Sequence, residues 1–355
     1  MAVDFDDRSR ELAPHCQGES ALRIVAIGGG NGLSTLLHGL KQFARPGSVP
    51  QVDITAVVTV SDDGGSSGRL RREFDVLPPG DIRNCMVALS EDEALLSRLF
   101  QYRFTSGRGL KGHSFGNLFL TALTNITGDF AEAVKLSSEV LAIAGRIYPS
   151  TSAKISLEAV LEDGSRVEGE TRISKSKVRI NRVRIKPGRR RPLPETLEAI
   201  SRADLITLGP GSLFTSVIPN LLVAGIPEAI RRSRAAKAYF VNLMWQPGET
   251  MNFRASDHIA ALYRHARANF LDYAIVNTTP IRPALKQRYA KQEAQPVEND
   301  WDALARLGLS VITGNLVRQS DKVRHEPGAI AGIAVRLALE SRARMLANPP
   351  GKSPG

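Results

Sequence analysis

Leu22-Arg23-Ile24-Val25-Ala26-Ile27-Gly28-Gly29-Gly30-Asn31-Gly32-Leu33-Ser34-Thr35-Leu36-Leu37-His38-Gly39-Leu40-Lys41 decides the fold. Leu22 to Ile27 is a short apolar run with β-branched residues, which suits a strand covered on both faces. Five residues, four of them glycine, follow at once. Leu33, Leu36, Leu37 and Leu40 then recur at helical spacing. A strand that passes through glycines into a helix makes an anion site. The bare backbone lets a phosphate come close, and the first-turn N–H groups and the helix dipole favour its charge. Ser34 and Thr35 add hydroxyls. The turn is neither a P-loop, because no lysine stands before Lys41, nor the Gly-x-Gly-x-x-Gly fingerprint, because Leu33 holds the third glycine position. It argues for a phosphate rather than for NAD. The alternative is a tight strand-to-helix connection without a ligand.

The 355-residue chain can bury a large core. No apolar run approaches the roughly 20 residues that span a bilayer. The polar segment 1–20 reads as a disordered leader without a signal-peptide core, and 347–355 as a disordered tail. Cys16 and Cys85 form neither a metal spacing nor a disulfide framework. These features place the protein in a cytoplasm. The formal charge of +11 attracts anions in general.

Working outward, Ile54 to Val60 reads as a second buried strand. Ser61-Asp62-Asp63-Gly64-Gly65-Ser66-Ser67-Gly68-Arg69 stands at its end. Ligands of open parallel sheets bind outside the carboxyl ends of the strands. Asp62 and Asp63 are there candidates to hold Mg²⁺ or a hydroxyl-rich group. The alternative is an Asx turn, and packing should demand little of either side chain. Asp81 reads as an N-cap after Pro78-Pro79-Gly80, with Asn84 in the same helix. His113 opens another helix, with Asn117 following, either as a phosphate donor or as a structural cap. Helices are expected over 91–104 and 129–144. The segment 147–191 alternates like antiparallel strands, including one over 167–173, with a hairpin turn at Asp163-Gly164. It is strongly basic and holds no aromatic platform for nucleic acid.

The α/β rhythm then resumes. Further strands end in Gly209-Pro210-Gly211-Ser212, in Asn242 to Thr250, and in Asn277-Thr278-Thr279. Five apolar strands thus end in small or polar tips. In a parallel sheet those tips share one edge, so they converge on one crevice. The expected architecture is a Rossmann-like, mainly parallel sheet with helices on both faces and a small antiparallel insertion, as one domain over 21–346. The convergence implies a ligand with a phosphate and many hydroxyl or amide groups.

Taken together, Gly28-Gly29-Gly30-Asn31-Gly32, Ser61-Asp62-Asp63-Gly64-Gly65, Pro78-Pro79-Gly80-Asp81, Gly112-His113-Ser114, Gly209-Pro210-Gly211-Ser212, Pro219-Asn220, Gln246-Pro247-Gly248-Glu249-Thr250, Tyr289 and Arg324-His325 resemble the YvcK/CofD-like family over about residues 22 to 340. The resemblance favours the YvcK branch, called gluconeogenesis factors, over the 2-phospholactate transferase branch. It implies a core that binds nucleotide diphosphates. For the YvcK branch it implies UDP-sugars such as UDP-N-acetylglucosamine and a role in cell shape and wall synthesis during gluconeogenic growth. For the transferase branch it implies Mg²⁺-dependent transfer, with Asp62 and Asp63 as the matching acidic pair. By motif match, Tyr289 and Arg324 belong to the UDP-sugar site, where Tyr289 can stack on uracil and Arg324 can clamp the diphosphate. Their alternatives are a packed ring and a surface ion pair.

The site read from sequence is therefore Gly28, Gly29, Gly30, Asn31, Gly32, Ser34, Gly209, Gly211, Ser212, Asn242, Gln246, Tyr289 and Arg324 for the nucleotide. Arg69, Asp81, Asn84, His113 and Asn117 stand beside it. Asp62 and Asp63 are catalytic, or hold Mg²⁺, if the protein is an enzyme. A UDP-sugar, a protein partner in wall synthesis and a second copy of the chain are the expected partners, with no membrane span. A nucleic-acid role rests on charge alone.

Overall fold

The computed structural model describes residues 20–90 and 94–348. The expected leader up to residue 19 and the expected tail from 349 lie outside the described residues. Strands are β1 (Leu22–Gly28), β2 (Val52–Val58), β3 (Arg146–Pro149), β4 (Ser156–Leu161), β5 (Arg166–Glu168), β6 (Ile180–Lys186), β7 (Leu205–Leu208), β8 (Ala236–Phe240), β9 (Tyr273–Asn277), β10 (Ser310–Gly314), β11 (Val317–Gln319) and β12 (Val323–His325).

Seven of them form one sheet in the order β10-β9-β8-β7-β1-β2-β3, every neighbour parallel. The apolar runs explain this. Ile24 to Ile27 and Leu205 to Leu208 are buried throughout, which requires helices on both faces. On one flank, helix Gly30–Ala44 packs against helices Gly80–Leu89 and Pro327–Ala347. From β1 the chain steps to β2 and β3 on one side, then returns to β7 on the other side of β1 and continues outward. The order therefore reverses between β1 and β7. In open α/β sheets the ligand crevice lies at that switch point, outside the carboxyl ends of the strands.

β4, β5 and β6 form a separate antiparallel sheet, with the Asp163-Gly164 turn where the alternation places it. Three local readings are corrected. Residues 170–173 are a helix, Glu170–Ile173, not strand. Gly169 at φ 96° breaks the strand, and the Asp63 carboxylate then accepts the Thr171 N–H and hydroxyl. The strand at 146–149 belongs to the main sheet, as its edge. The helix read over 129–144 is Phe130–Val140, and Ala142 at φ 45° ends the run.

Candidate functional site

A cleft of about 360 Å³ opens at the switch point. Its floor is Gly29 to Gly32 from the end of β1 and Pro210 to Ser212 from the end of β7. Asn242 and Gln246 after β8, the hairpin residues Val323 to His325, Asp81 and Glu170 complete the wall. Six segments distant in sequence thus meet in one cleft.

The two glycine loops interlock. A Cβ on Gly32 would run into the Pro210 carbonyl, so only glycine lets the loops meet. Gly30 sits at φ 60°, and a side chain there would project into open space near Ser216. Helix Gly30–Ala44 starts at this point and carries no acid in its first turn, so its positive end faces the cleft. Asn220 holds the loop from beneath by donating to the Gly28 and Ser216 carbonyls. Gln246 Nε2 donates to Ser212 Oγ at 2.6 Å, and Asn242 Nδ2 donates to Gln246 Oε1 at 3.2 Å. This relay of amides ties the β7 tip to the β8 tip.

The β11–β12 hairpin contributes another part of the wall, and in its antiparallel register Arg318 stands beside the exposed Arg324. Tyr289 lies behind it. Its hydroxyl accepts the Val323 N–H at 3.1 Å, and its ring packs against Leu243, Met244 and Val317. The next residue, His325, is buried in the cleft wall, and its Nε2 has no partner. Burial pushes its imidazole down to about 4, so it is neutral near pH 7.

Carboxyl groups gather under the loops. Asp81 is not an N-cap. It lies within helix Gly80–Leu89, whose cap is Pro79, and accepts the Gly30 N–H instead. Burial, and then the Asp62 charge, push its carboxyl up to about 7. Glu170 is pushed well above the carboxylate range by burial first and by Asp81, Asp62, Glu249 and Asp63 after it. Its Oε2 is buried without a partner. An acid held in its protonated form by such burial can donate to phosphate oxygens rather than repel them. Glu249, buried, accepts the Phe214 N–H and the Thr215 hydroxyl, and so caps the π-helical turn Leu213–Val217 beside the floor.

Asp62 and Asp63 stand outside the lining. Asp62 Oδ1 accepts the Gly64 N–H at 2.8 Å, an Asx turn, and Asp63 Oδ1 accepts both Thr171 donors. Among the described residues no group of three His, Cys, Asp or Glu side chains is disposed to hold a metal ion. One oxygen of each carboxylate is thus engaged in local structure.

Of the other residues read from sequence, Gly28 and Gly209 lie under the floor as strand ends. Ser34 donates its hydroxyl back to the Gly30 carbonyl. His113 bonds Ser66 at 2.9 Å, while Ser114 caps the helix Phe115–Thr127. Asn117 reaches Ser67, Arg69 donates to the Lys111 carbonyl, and Asn84 accepts from Arg83. Glu170, Ser216, Leu243 and Met244 line the cleft without having been singled out. His325 does so too, although it stood in a quoted motif. Glu170 lies in the insertion, where only the unexpected turn of helix brings it inward.

A family model described as 2-phospho-L-lactate transferase CofD matches residues 24–317. A protein of Halalkalibacterium halodurans named gluconeogenesis factor is 49% identical over 309 residues, 87% of this chain and 94% of that one. One of Bacillus subtilis with the same name is 48% identical over 319 residues, 90% of this chain and 98% of that one. A crystal structure of a Bacillus halodurans protein superposes with a TM-score of 0.85 at 48% identity, covering 89% of this chain and all of that one.

Proposed function

Because the chain belongs to the CofD family and sits among proteins named gluconeogenesis factors, we propose that it is a cytoplasmic nucleotide-sugar-binding regulator. Its ligand is UDP-N-acetylglucosamine or a close relative, and it serves cell shape and wall synthesis during gluconeogenic growth through a protein partner. One observation carries the binding: two glycine loops, the positive end of a helix and Arg324 line a single cleft. That pairing suits a diphosphate, since backbone N–H groups and a guanidinium both bind phosphate oxygens. Two buried polar atoms in the wall, Glu170 Oε2 and His325 Nε2, await partners that a sugar or phosphate supplies.

Regulation is favoured over catalysis because the acidic pair is engaged in local structure. The buried Cys85 thiol, pushed well up by burial and Asp81, lies outside the cleft lining. Asp81, pushed up to about 7, and Glu170, raised by burial, support the second reading, transfer from a nucleotide-activated donor, because raised carboxyls beside a phosphate floor can move protons. Mass spectrometry of small molecules that copurify with the native protein tests the choice of ligand. An intact UDP-sugar supports the proposal, and a guanosine diphosphate carrier contradicts it.

A further inference from the structure

We infer that the outer face of the β4–β6 sheet, with the turn Arg189 to Arg191, is a docking surface for an acidic protein. Between Arg166 and Arg191 the sequence holds eleven Lys and Arg against two Glu, in a chain whose formal charge is +11. One of those two, Glu170, is turned into the cleft wall. Much of the charge excess of the whole molecule therefore falls in this one segment of strands and turns.

The register defines the face. Val160 on the central strand β4 stands opposite Arg166 on β5 and Arg182 on β6. Glu158, two residues before it, stands opposite Glu168 and Arg184. Residues directly opposite one another share a face, so Arg166, Arg182 and Arg184 point the same way, with Glu158 and Glu168 between them. The other face is apolar, and Leu157, Ala159, Val183 and Ile185 are buried in the core. Some cations are neutralised: Lys186 pairs with Glu158 and Glu168, and Arg179 pairs with Glu162. Arg166, Arg182, Arg184, Arg189 and Arg191 have no ion pair among the described residues. Flanking strands put Arg166 and Arg182 about 10 Å apart, close enough to repel at moderate salt.

The chemistry of the face selects the partner. Residues 149–213 contain no Phe, Tyr or Trp, so single-stranded nucleic acid finds nothing to stack on. The exposed large apolar side chains all lie elsewhere, so a membrane finds no anchor. The half-exposed carboxylate of Glu168 lies inside the patch, where the continuous phosphate track of a duplex would meet it. A protein surface of alternating sign, acidic on balance, matches such a mosaic.

The test uses the full chain with three anionic probes at physiological salt: poly-glutamate, a DNA duplex of equal charge, and phosphatidylserine vesicles. A variant carrying Arg166→Glu, Arg182→Glu and Arg189→Glu serves as control. These residues are exposed and lie outside the nucleotide cleft, so UDP-N-acetylglucosamine binding should survive and report folding. Poly-glutamate should bind best, and the variant should lose at least tenfold. Tighter binding of duplex or vesicles, or equal poly-glutamate binding by the folded variant, overturns the inference. Absence of sugar-nucleotide binding by the unaltered chain would count against the proposed ligand alone, and a melting curve of the variant would then report its folding and keep this comparison intact.

Discussion

Asp63 accepts the backbone N–H of Thr171 at 2.9 Å and its hydroxyl at 2.8 Å. These residues lie on different units, one on the loop after β2 and the other on the short helix of the insertion. The pair fastens the insertion to the main sheet and sets Glu170, the neighbour of Thr171, into the cleft wall. A capping aspartate contributes about 1 kcal/mol. Asp63→Ala should therefore lower thermal stability measurably, contrary to the expectation that packing demands little at this position. Scanning calorimetry checks it, and an unchanged melting temperature would return Asp63 to the role of a free ligand.

Arg324 is exposed on a hairpin, so its removal should spare the fold. A hydrogen bond to a charged group is worth about 1.5–3 kcal/mol, which corresponds to roughly ten- to hundredfold in affinity. Arg324→Ala should lose that much affinity for UDP-N-acetylglucosamine by calorimetry, whereas Arg324→Lys should recover part of it.

Asp81 titrates from an unfolded value near 3.8 to about 7 in the folded chain. The folded state holds the proton more tightly, so the group's contribution to stability is fully present below about pH 4 and is lost as pH rises to about 7. Asp81→Asn removes that loss while keeping an acceptor for the Gly30 N–H. The variant's stability relative to the unaltered chain should grow between pH 4 and 7 and then level off. Urea unfolding at pH 5 and pH 8 measures it. An equal difference at both values would place the Asp81 carboxyl in solvent.

Glu170 belongs to the cleft and to the insertion at once, and Ser174 four residues on donates to Glu249 beneath the floor. A ligand that touches Glu170 should therefore alter amide exchange across 169–176 as well as in the glycine loops. Hydrogen exchange with and without UDP-N-acetylglucosamine reads this directly. Glu170→Gln, which keeps the shape and a donor in place of the protonated carboxyl, should retain the effect. Changes confined to the glycine loops would mean that the insertion does not sense the ligand.

Five strands of the main sheet were legible because they read as apolar runs, whereas the partly exposed edge strands β3 and β10 were not. The glycines between Ile27 and Leu33, and between Leu208 and Leu213, marked the tips. The floor followed from those two stretches. What escaped was local and set by tertiary contact. Residues 167–173 alternate like a strand, yet Gly169 and the distant Asp63 turn 170–173 into helix. Asp81 stands where an N-cap belongs, yet the Gly30 N–H is its partner. The β11–β12 hairpin is only three residues on each side, too short for alternation to declare it. The sequence leaves Tyr289 between a stacking and a packed ring, and gives no sign that its hydroxyl accepts from that hairpin's backbone.

The account stands most directly on calorimetry of UDP-N-acetylglucosamine with the unaltered chain and with Gly30→Ala, followed by analysis of the recovered nucleotide. A Cβ at Gly30 meets no atom closer than Ser216 Oγ at 3.7 Å, so it fills cleft space rather than the core. Its backbone at φ 60° adds strain of about 1–2 kcal/mol, which a melting curve measures separately. The account predicts one site per chain, at least tenfold weaker binding by the folded variant, and nucleotide sugar recovered intact. Equal affinity in the folded variant, or release of UDP during the titration, would contradict it.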